Sequence, residues 1–161
     1  MIDLSVSIAG VTLKNPVLPA SGTWEAVEMA DRFFEPADLG AVINKTVFLN
    51  PRPGNPPPRL HETPCGMLNS IGIPSEGINP FIRHQLPALR SLGPPVIVSV
   101  AESSLDGFRR IARIVEETRM ADLLELDLSC PNIAHDAQWA EDPKLLTEVV
   151  SAVREEVELP I

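Results

Sequence analysis

Short runs of β-branched residues alternate along this chain with longer segments whose apolar positions recur every three or four residues. Residues 4–8 and 11–13 flank Ala9-Gly10 and predict a small hairpin. Residues 17–19 form a short apolar run ending in Ala20-Ser21-Gly22, and residues 26–34 are weakly helical. Residues 40–44 predict a buried strand that leads into Lys45-Thr46. Helical spacing over residues 81–92 is interrupted by Pro87. Residues 95–100 (PVIVSV) predict a strand. Residues 105–119 place apolar side chains at 105, 108, 111, 112, 114 and 115 on one helical face, with Ser104 as the N-cap. Residues 123–128 alternate apolar and acidic side chains, as a strand does. Residues 143–157 carry Leu145, Leu146, Val149, Val150, Val153 and Val157 on one face, with Asp142 as cap and Pro143 at the first position. Leu159-Pro160-Ile161 predicts the start of a further strand.

After the hairpin, the order is β-α-β-loop-α-β-α-β-α and an incipient last β. Repeated βα units imply an α/β fold with a parallel sheet and helices on its faces. Residues 49–80 break the rhythm and hold eight of the 17 prolines. A loop this long inside a compact domain is usually functional, so an ordered lid or site wall is expected there.

Composition then removes whole classes. Thirteen Lys+Arg against 22 Asp+Glu give a net charge of −9, with no basic run. Such a chain has no electrostatic footprint for nucleic acid or an anionic membrane. No apolar stretch approaches the ~18 residues of a membrane span. The opening MIDLSVSIAG lacks the pattern of a secretory signal. A hydrophobic fraction of 44% marks a globular chain, and one domain over residues 1–161 is expected. The two cysteines, Cys65 and Cys130, form no CxxC pair. A reducing cytoplasm is therefore the expected compartment. His61, His84 and His135 lie in unrelated segments without ligand spacing, so no metal is assigned.

In parallel α/β sheets, ligands bind beyond the carboxyl ends of the strands. The residues just past the predicted strands are Ala20-Ser21-Gly22-Thr23, Lys45-Thr46, Ser99 with Glu102, and Asp127 with Ser129-Cys130-Pro131-Asn132. Lys45 is either a snorkelling surface cation or one that faces an anionic ligand or ring. Cys130 is either a small buried hydrophobe or a nucleophile or general base. An ordinary thiol titrates near ~8.5, so base catalysis by one improves as pH rises. Loop amides such as Asn69 and Asn132 make turns, or read the edge of a cyclic imide.

Several strings together resemble a known family. They are Asn15-Pro16-Val17 through Ser21-Gly22-Thr23, Lys45-Thr46, Pro51-Arg52-Pro53-Gly54-Asn55-Pro56-Pro57-Pro58-Arg59, Gly66-Met67-Leu68-Asn69-Ser70-Ile71-Gly72-Ile73, and Leu128-Ser129-Cys130-Pro131-Asn132. In order and nearly without gaps, the chain is similar to class 1 dihydroorotate dehydrogenases, most of all to the class 1B catalytic subunit. The resemblance implies a (β/α)8 TIM barrel that binds FMN and oxidises dihydroorotate to orotate in pyrimidine biosynthesis. It implies that Cys130 is the base removing the C5 proton while the C6 hydride passes to FMN. It places Ala20, Ser21, Lys45, Thr46, Ser99 and Asp127 at the cofactor. It places Lys45, Asn69, Ser70, Ile71, Gly72, Ile73, Asp127 and Asn132 at the substrate. By the same likeness a partner subunit carries FAD and an iron–sulfur cluster and delivers electrons to NAD. A homo-oligomer is the expected state.

This chain departs from the family at three points. Asp127 stands where the family has Asn. A carboxylate cannot donate a hydrogen bond. At ~4 Å from a substrate carboxylate it costs roughly 1–4 kcal/mol, or about one to three decades of affinity, unless it is protonated or paired with Lys45. Ser99 stands where many members carry a flavin-contacting Asn. Finally, a barrel needs about 250 residues. The expectation is therefore the N-terminal half alone: the hairpin and the first four βα units, without the later phosphate site. Two alternatives stay open. One is a related flavin oxidoreductase for a neutral dihydropyrimidine. The other is a non-catalytic half-barrel that self-associates.

Overall fold

The computed structural model describes residues 2–24, 34–130 and 139–161. Apart from Phe34, the expected helix over 26–34 lies outside the described residues. The hairpin forms from β1 (Val6–Ile8) and β2 (Val11–Leu13), in antiparallel register with Ile8 opposite Val11. Ala9 (φ 48°) and Gly10 (φ 86°) are both left-handed. That is the turn whose twist matches a two-residue hairpin.

The central sheet holds β3 (Val42–Ile43), β6 (Val96–Val100) and β7 (Leu123–Leu126), all parallel. Ile43 lies opposite Ile97, and Ile97 opposite Leu123. The spatial order repeats the chain order, so the sheet grows in one direction. At one edge the Gly40 N–H donates to Val17 O at 2.8 Å. At the other, the Leu124 N–H donates to Pro160 O at 2.8 Å, which sets the final residues beside β7. Residues 17–19 lie against the sheet but form no regular strand. The prolines at 16 and 19 remove donors that a ladder would need. Gly40 is required at this edge, because a Cβ there would stand 1.9 Å from Asn15 O.

β6 is buried on both faces, as its uninterrupted apolar run demands. Its outer face packs with Leu124 against α2 (Leu105–Thr118) and α3 (Pro143–Arg154). Phe108, Ile111, Ala112 and Val115 of α2 and Val149 and Val153 of α3 fill that layer. Each large side chain so buried contributes about 1.5–3 kcal/mol. Ser104 caps α2 by accepting the Gly107 N–H at 3.1 Å, and left-handed Arg119 ends it. Asp142 caps α3 by accepting the Lys144 N–H at 2.8 Å. On the exposed face of α2, Arg109 and Arg113 reach Glu155 and Glu156 beyond α3, at 3.0 and 2.6 Å. The hydrogen bond to Glu156, and then its charge, raises the pKa of Arg113.

On the inner face, Ile43, Ile97 and Leu123 pack with Ala41 and with Leu13 of the hairpin. The hairpin therefore covers the lower end of the sheet and leaves the carboxyl ends of the strands open.

Pro87 does not break its helix. α1 runs through Ile78–Pro80, a wider π-turn at Phe81–Gln85, and Leu86–Ser91. The Leu86 N–H reaches back five residues to Phe81 O. That wide turn makes room where the proline ring would meet the carbonyl of the preceding turn. Residues 49–80 contain an unexpected antiparallel hairpin of β4 (Leu60–Thr63) and β5 (Gly66–Asn69). Among the described residues, no helix is long and apolar enough to cross a membrane.

Candidate functional site

β3 leaves the sheet through a bulge. Ile43 pairs with Ile97, yet Val47 pairs with Val100, so four steps on one side match three on the other. The extra residue re-aims the side chains that lie between, a device common beside active sites. Asn44 is buried here and takes the place of the lost ladder bonds. Its Oδ1 accepts the Ser99 N–H at 2.8 Å, and its Nδ2 donates to Ser99 O at 3.1 Å and to Lys45 O at 2.7 Å.

The bulge sends the Thr46 hydroxyl toward the other strand ends. Thr46 Oγ1 lies 3.0 Å from Ser99 Oγ, 3.5 Å from Ser21 Oγ and 3.5 Å from Asp127 Oδ2. Four side chains from four successive segments thus meet at one point. Lys45 Nζ lies 3.8 Å from where a Cβ on Gly22 would stand. Left-handed Gly22 belongs to a compact turn in which Ala20 O accepts both the N–H and the hydroxyl of Thr23, at 3.1 and 2.7 Å. No ion pair joins Asp127 to Lys45 among the described residues.

Cys130, half-buried, packs with Ile73 against Phe48 and Ala101. Gly72 (φ 78°) and Ile73 (φ 47°) are both left-handed. For a β-branched residue that is a strained conformation, the kind that clusters at functional sites. Ser70 is held by Asn55, whose Nδ2 donates to Ser70 Oγ at 2.9 Å, while the Asn55 N–H donates to Ile71 O at 3.1 Å. Asn69 is exposed at the end of β5, and no contact among the described residues brings it to the Thr46 cluster. Asn132 and His135 lie outside the described residues. Cys65 is exposed, on the turn between β4 and β5.

Beside the cluster opens a cleft of about 670 Å³, lined by Lys45, Thr46, Arg52, Ser75 and Glu76 among others. That is ample for a small organic ligand. Among the described residues, no group of three metal-binding side chains occurs. The donor set suits the polar edge of a flat heterocycle. Lys45 can donate to a ring oxygen, the hydroxyls can donate or accept, and a carboxylate such as Asp127 can accept from a ring N–H.

Sequence reasoning misses one contributor and names another without a role. Asn44 ends the apolar run Ala41-Val42-Ile43, and a polar residue inside a predicted buried strand is a usable signal. Glu102 stands out in the sequence only by its place after a strand. Its Oε1 accepts the Leu49 N–H at 2.7 Å, tying the end of β6 to the start of residues 49–80. Gly107 leaves room for it, since a Cβ there would stand 2.9 Å from Glu102 Oε2.

A family model described as dihydroorotate dehydrogenase matches residues 3–161. The chain is 42% identical over 161 residues to the dihydroorotate dehydrogenase B (NAD(+)) catalytic subunit of Desulforudis audaxviator, covering 99% of this chain and 52% of that protein. The corresponding subunits of Geobacter sulfurreducens and Listeria monocytogenes are 40% and 35% identical, over 99% and 100% of this chain and 52% and 53% of theirs. The chain thus spans about half the length of the curated relatives it matches. Its fold is similar to that of ligand-free DHODH from Eimeria tenella, with a TM-score of 0.68 at 23% identity, over 96% of this chain and 45% of that one.

Proposed function

The chain belongs to the dihydroorotate dehydrogenase family, and from that premise we propose that it carries the base-bearing half of an FMN-dependent site that oxidises dihydroorotate to orotate in pyrimidine biosynthesis. The observation that carries this reading is the meeting of Ser21, Thr46, Ser99 and Asp127 at the strand ends, in segments that also bear Lys45 and Cys130. On this reading the sheet is the first four βα units of a (β/α)8 barrel, closed below by the hairpin.

The residues present fit the ring of FMN. Gly22 leaves the approach to Lys45 free of a side chain, and the hydroxyl cluster matches a ring edge that both donates and accepts. When bound, FMN supplies the acceptor for the hydride that leaves C6 of the substrate. Cys130 as thiolate takes the proton from C5. Lys45 sets a positive charge beside the anionic rings, which lowers the cost of charge that builds up during the reaction. Ile73, Gly72 and Ile71 wall the substrate and keep water from the thiol, with Asn69, Ser70 and Asn132 as polar contacts. The name catalytic subunit in the relatives supports a partner subunit, and by resemblance to class 1B enzymes we propose that this partner carries FAD and an iron–sulfur cluster that take the electrons onward to NAD. We propose further that the catalytic subunit self-associates within that assembly, in the cytoplasm.

A second substrate class is favoured by one observation. Asp127 has no cation to neutralise it among the described residues, so a neutral dihydropyrimidine suits that position better than a carboxylate. Anaerobic mixing of the FMN-loaded holoenzyme, with both halves of the barrel present, with dihydroorotate or dihydrouracil decides between them. Loss of flavin colour with dihydroorotate alone supports the first reading, and loss with dihydrouracil alone supports the second. Colour kept with both substrates refutes the function proposed.

A further inference from the structure

Resting on the reading of Cys130 as the base, we infer that Trp139 is a positioning residue for the thiol: its buried ring pins the far flank of the segment that leaves the sheet at Leu128, and so fixes where Cys130 stands. Residues 131–138 lie outside the described residues, but both of their flanks are described. Leu128 packs against the core cluster to which Trp139 belongs, so the two flanks enter the same layer beside α2. The Ala140 N–H donates to Leu128 O at 3.2 Å and ties the flanks directly. Just beyond, Asp142 caps α3 by accepting the Lys144 N–H at 2.8 Å, which fixes the far flank to a helix. Cys130 packs elsewhere, with Ile73 against Phe48 and Ala101. The thiol thus stands on a short arm that starts from one core cluster and ends at another.

The anchor is the ring of Trp139 and not its N–H. The residue is 6% exposed, and its ring meets Phe108 of α2 edge to face, with centroids 6.0 Å apart at 88°. Phe108 has no exposure, and a close-packed core gives its neighbour little room to shift. Buried indole N–H groups usually find a partner, yet Trp139 Nε1 has none among the described residues. A phenylalanine should therefore hold the same place. Position matters for a base because a proton passes only within hydrogen-bond reach, and a misplacement of about 1 Å can cost a factor of about 10².

The test uses the FMN-loaded holoenzyme, with both halves of the barrel present. Flavin bleaching by dihydroorotate is followed in anaerobic single turnovers, and orotate affinity by titration. The variants are Trp139→Phe, Trp139→Leu and Trp139→Ala, each alone and with Cys130→Ser. Leu89→Ala, which opens a cavity in the same core from α1, controls for lost packing. Trp139→Ala should bleach about ten- to hundredfold more slowly than wild type. Trp139→Leu should fall between, and it carries the comparison if Trp139→Ala is not recovered folded. Trp139→Phe and Leu89→Ala should stay within about threefold of wild type. Orotate affinity should change by less than about threefold throughout, because the loss is of proton transfer and not of binding. With Cys130→Ser present, Trp139→Ala should add less than about twofold, since it acts through the thiol. Wild-type bleaching in both Trp139→Ala and Trp139→Leu overturns the inference. So does equal slowing by Leu89→Ala, failure of Trp139→Phe to restore the rate, or a full effect that persists without the thiol. In those cases Cys130→Ser alone still bleaches slowly and the proposed function stands. If Cys130→Ser bleaches at the wild-type rate, the base reading falls and the inference falls with it.

Discussion

Replacing Asn44 by Leu removes the amide that stitches the bulge while keeping the side chain close to its volume. Three hydrogen bonds disappear, but their losses are unequal. Ser99 O still receives the Val47 N–H at 3.0 Å, and Lys45 O lies on a half-buried residue that water can reach. The Ser99 N–H has no such substitute. It sits on a residue with no exposure at all, and its partner at 2.8 Å is Asn44 Oδ1. Stranding a buried donor costs about 1–3 kcal/mol, and each of the other two bonds is worth about 0.5–1.5 kcal/mol. Apolar burial by the leucine returns about 1 kcal/mol. The expected net loss is about 1–5 kcal/mol. Urea unfolding followed by tryptophan fluorescence measures it, because Trp139 is buried edge-on to Phe108. The midpoint should fall with little change in slope. A loss below about 0.5 kcal/mol, the range of an indifferent surface change, would mean that the amide does not hold β3 to β6.

The same geometry sets three further outcomes. Gly40→Ala drives a Cβ to 1.9 Å from Asn15 O and should destabilise by about 3 kcal/mol or more, read from the same unfolding curves. Ile73→Gly relieves left-handed strain worth about 1–3 kcal/mol while giving up contacts to Phe48. Stability should change by less than about 1 kcal/mol, and dihydroorotate turnover should fall, because the wall beside Cys130 loses its side chain. Alkylation followed by peptide mass spectrometry should show orotate shielding Cys130 and leaving exposed Cys65 untouched. Equal labelling of both thiols with and without orotate would place Cys130 away from the ligand.

The parts of the fold that sequence reveals are those with strong local signals. Ala9-Gly10 announces its turn, and the cap residues Ser104 and Asp142 announce α2 and α3. The double burial of β6 is legible in Val96-Ile97-Val98 and Val100. The features that escape depend on contacts between distant segments. The bulge at residues 44–46 exists only relative to the register of β6. The turn before Pro87 depends on a hydrogen-bond pattern that apolar spacing does not encode. The β4–β5 hairpin hides because Leu60, Met67 and Leu68 are exposed on both of its strands, so no in–out alternation marks it. The strand-end rule brings Ser21, Thr46, Ser99 and Asp127 to one rim from sequence order alone, since parallel strands all point their carboxyl ends to the same side. It cannot supply the hydrogen-bond partners of Thr46, which depend on the bulge.

The central claim is that the thiol of residue 130 works on a ring held by the Lys45–Thr46 rim. Anaerobic single-turnover mixing of dihydroorotate with the FMN-loaded protein, wild type against Cys130→Ser, tests it most directly. The flavin should stay bound in the variant and lose its colour about 10²–10⁴ times more slowly. Bleaching of the variant at the wild-type rate, with flavin equally bound, would contradict the account.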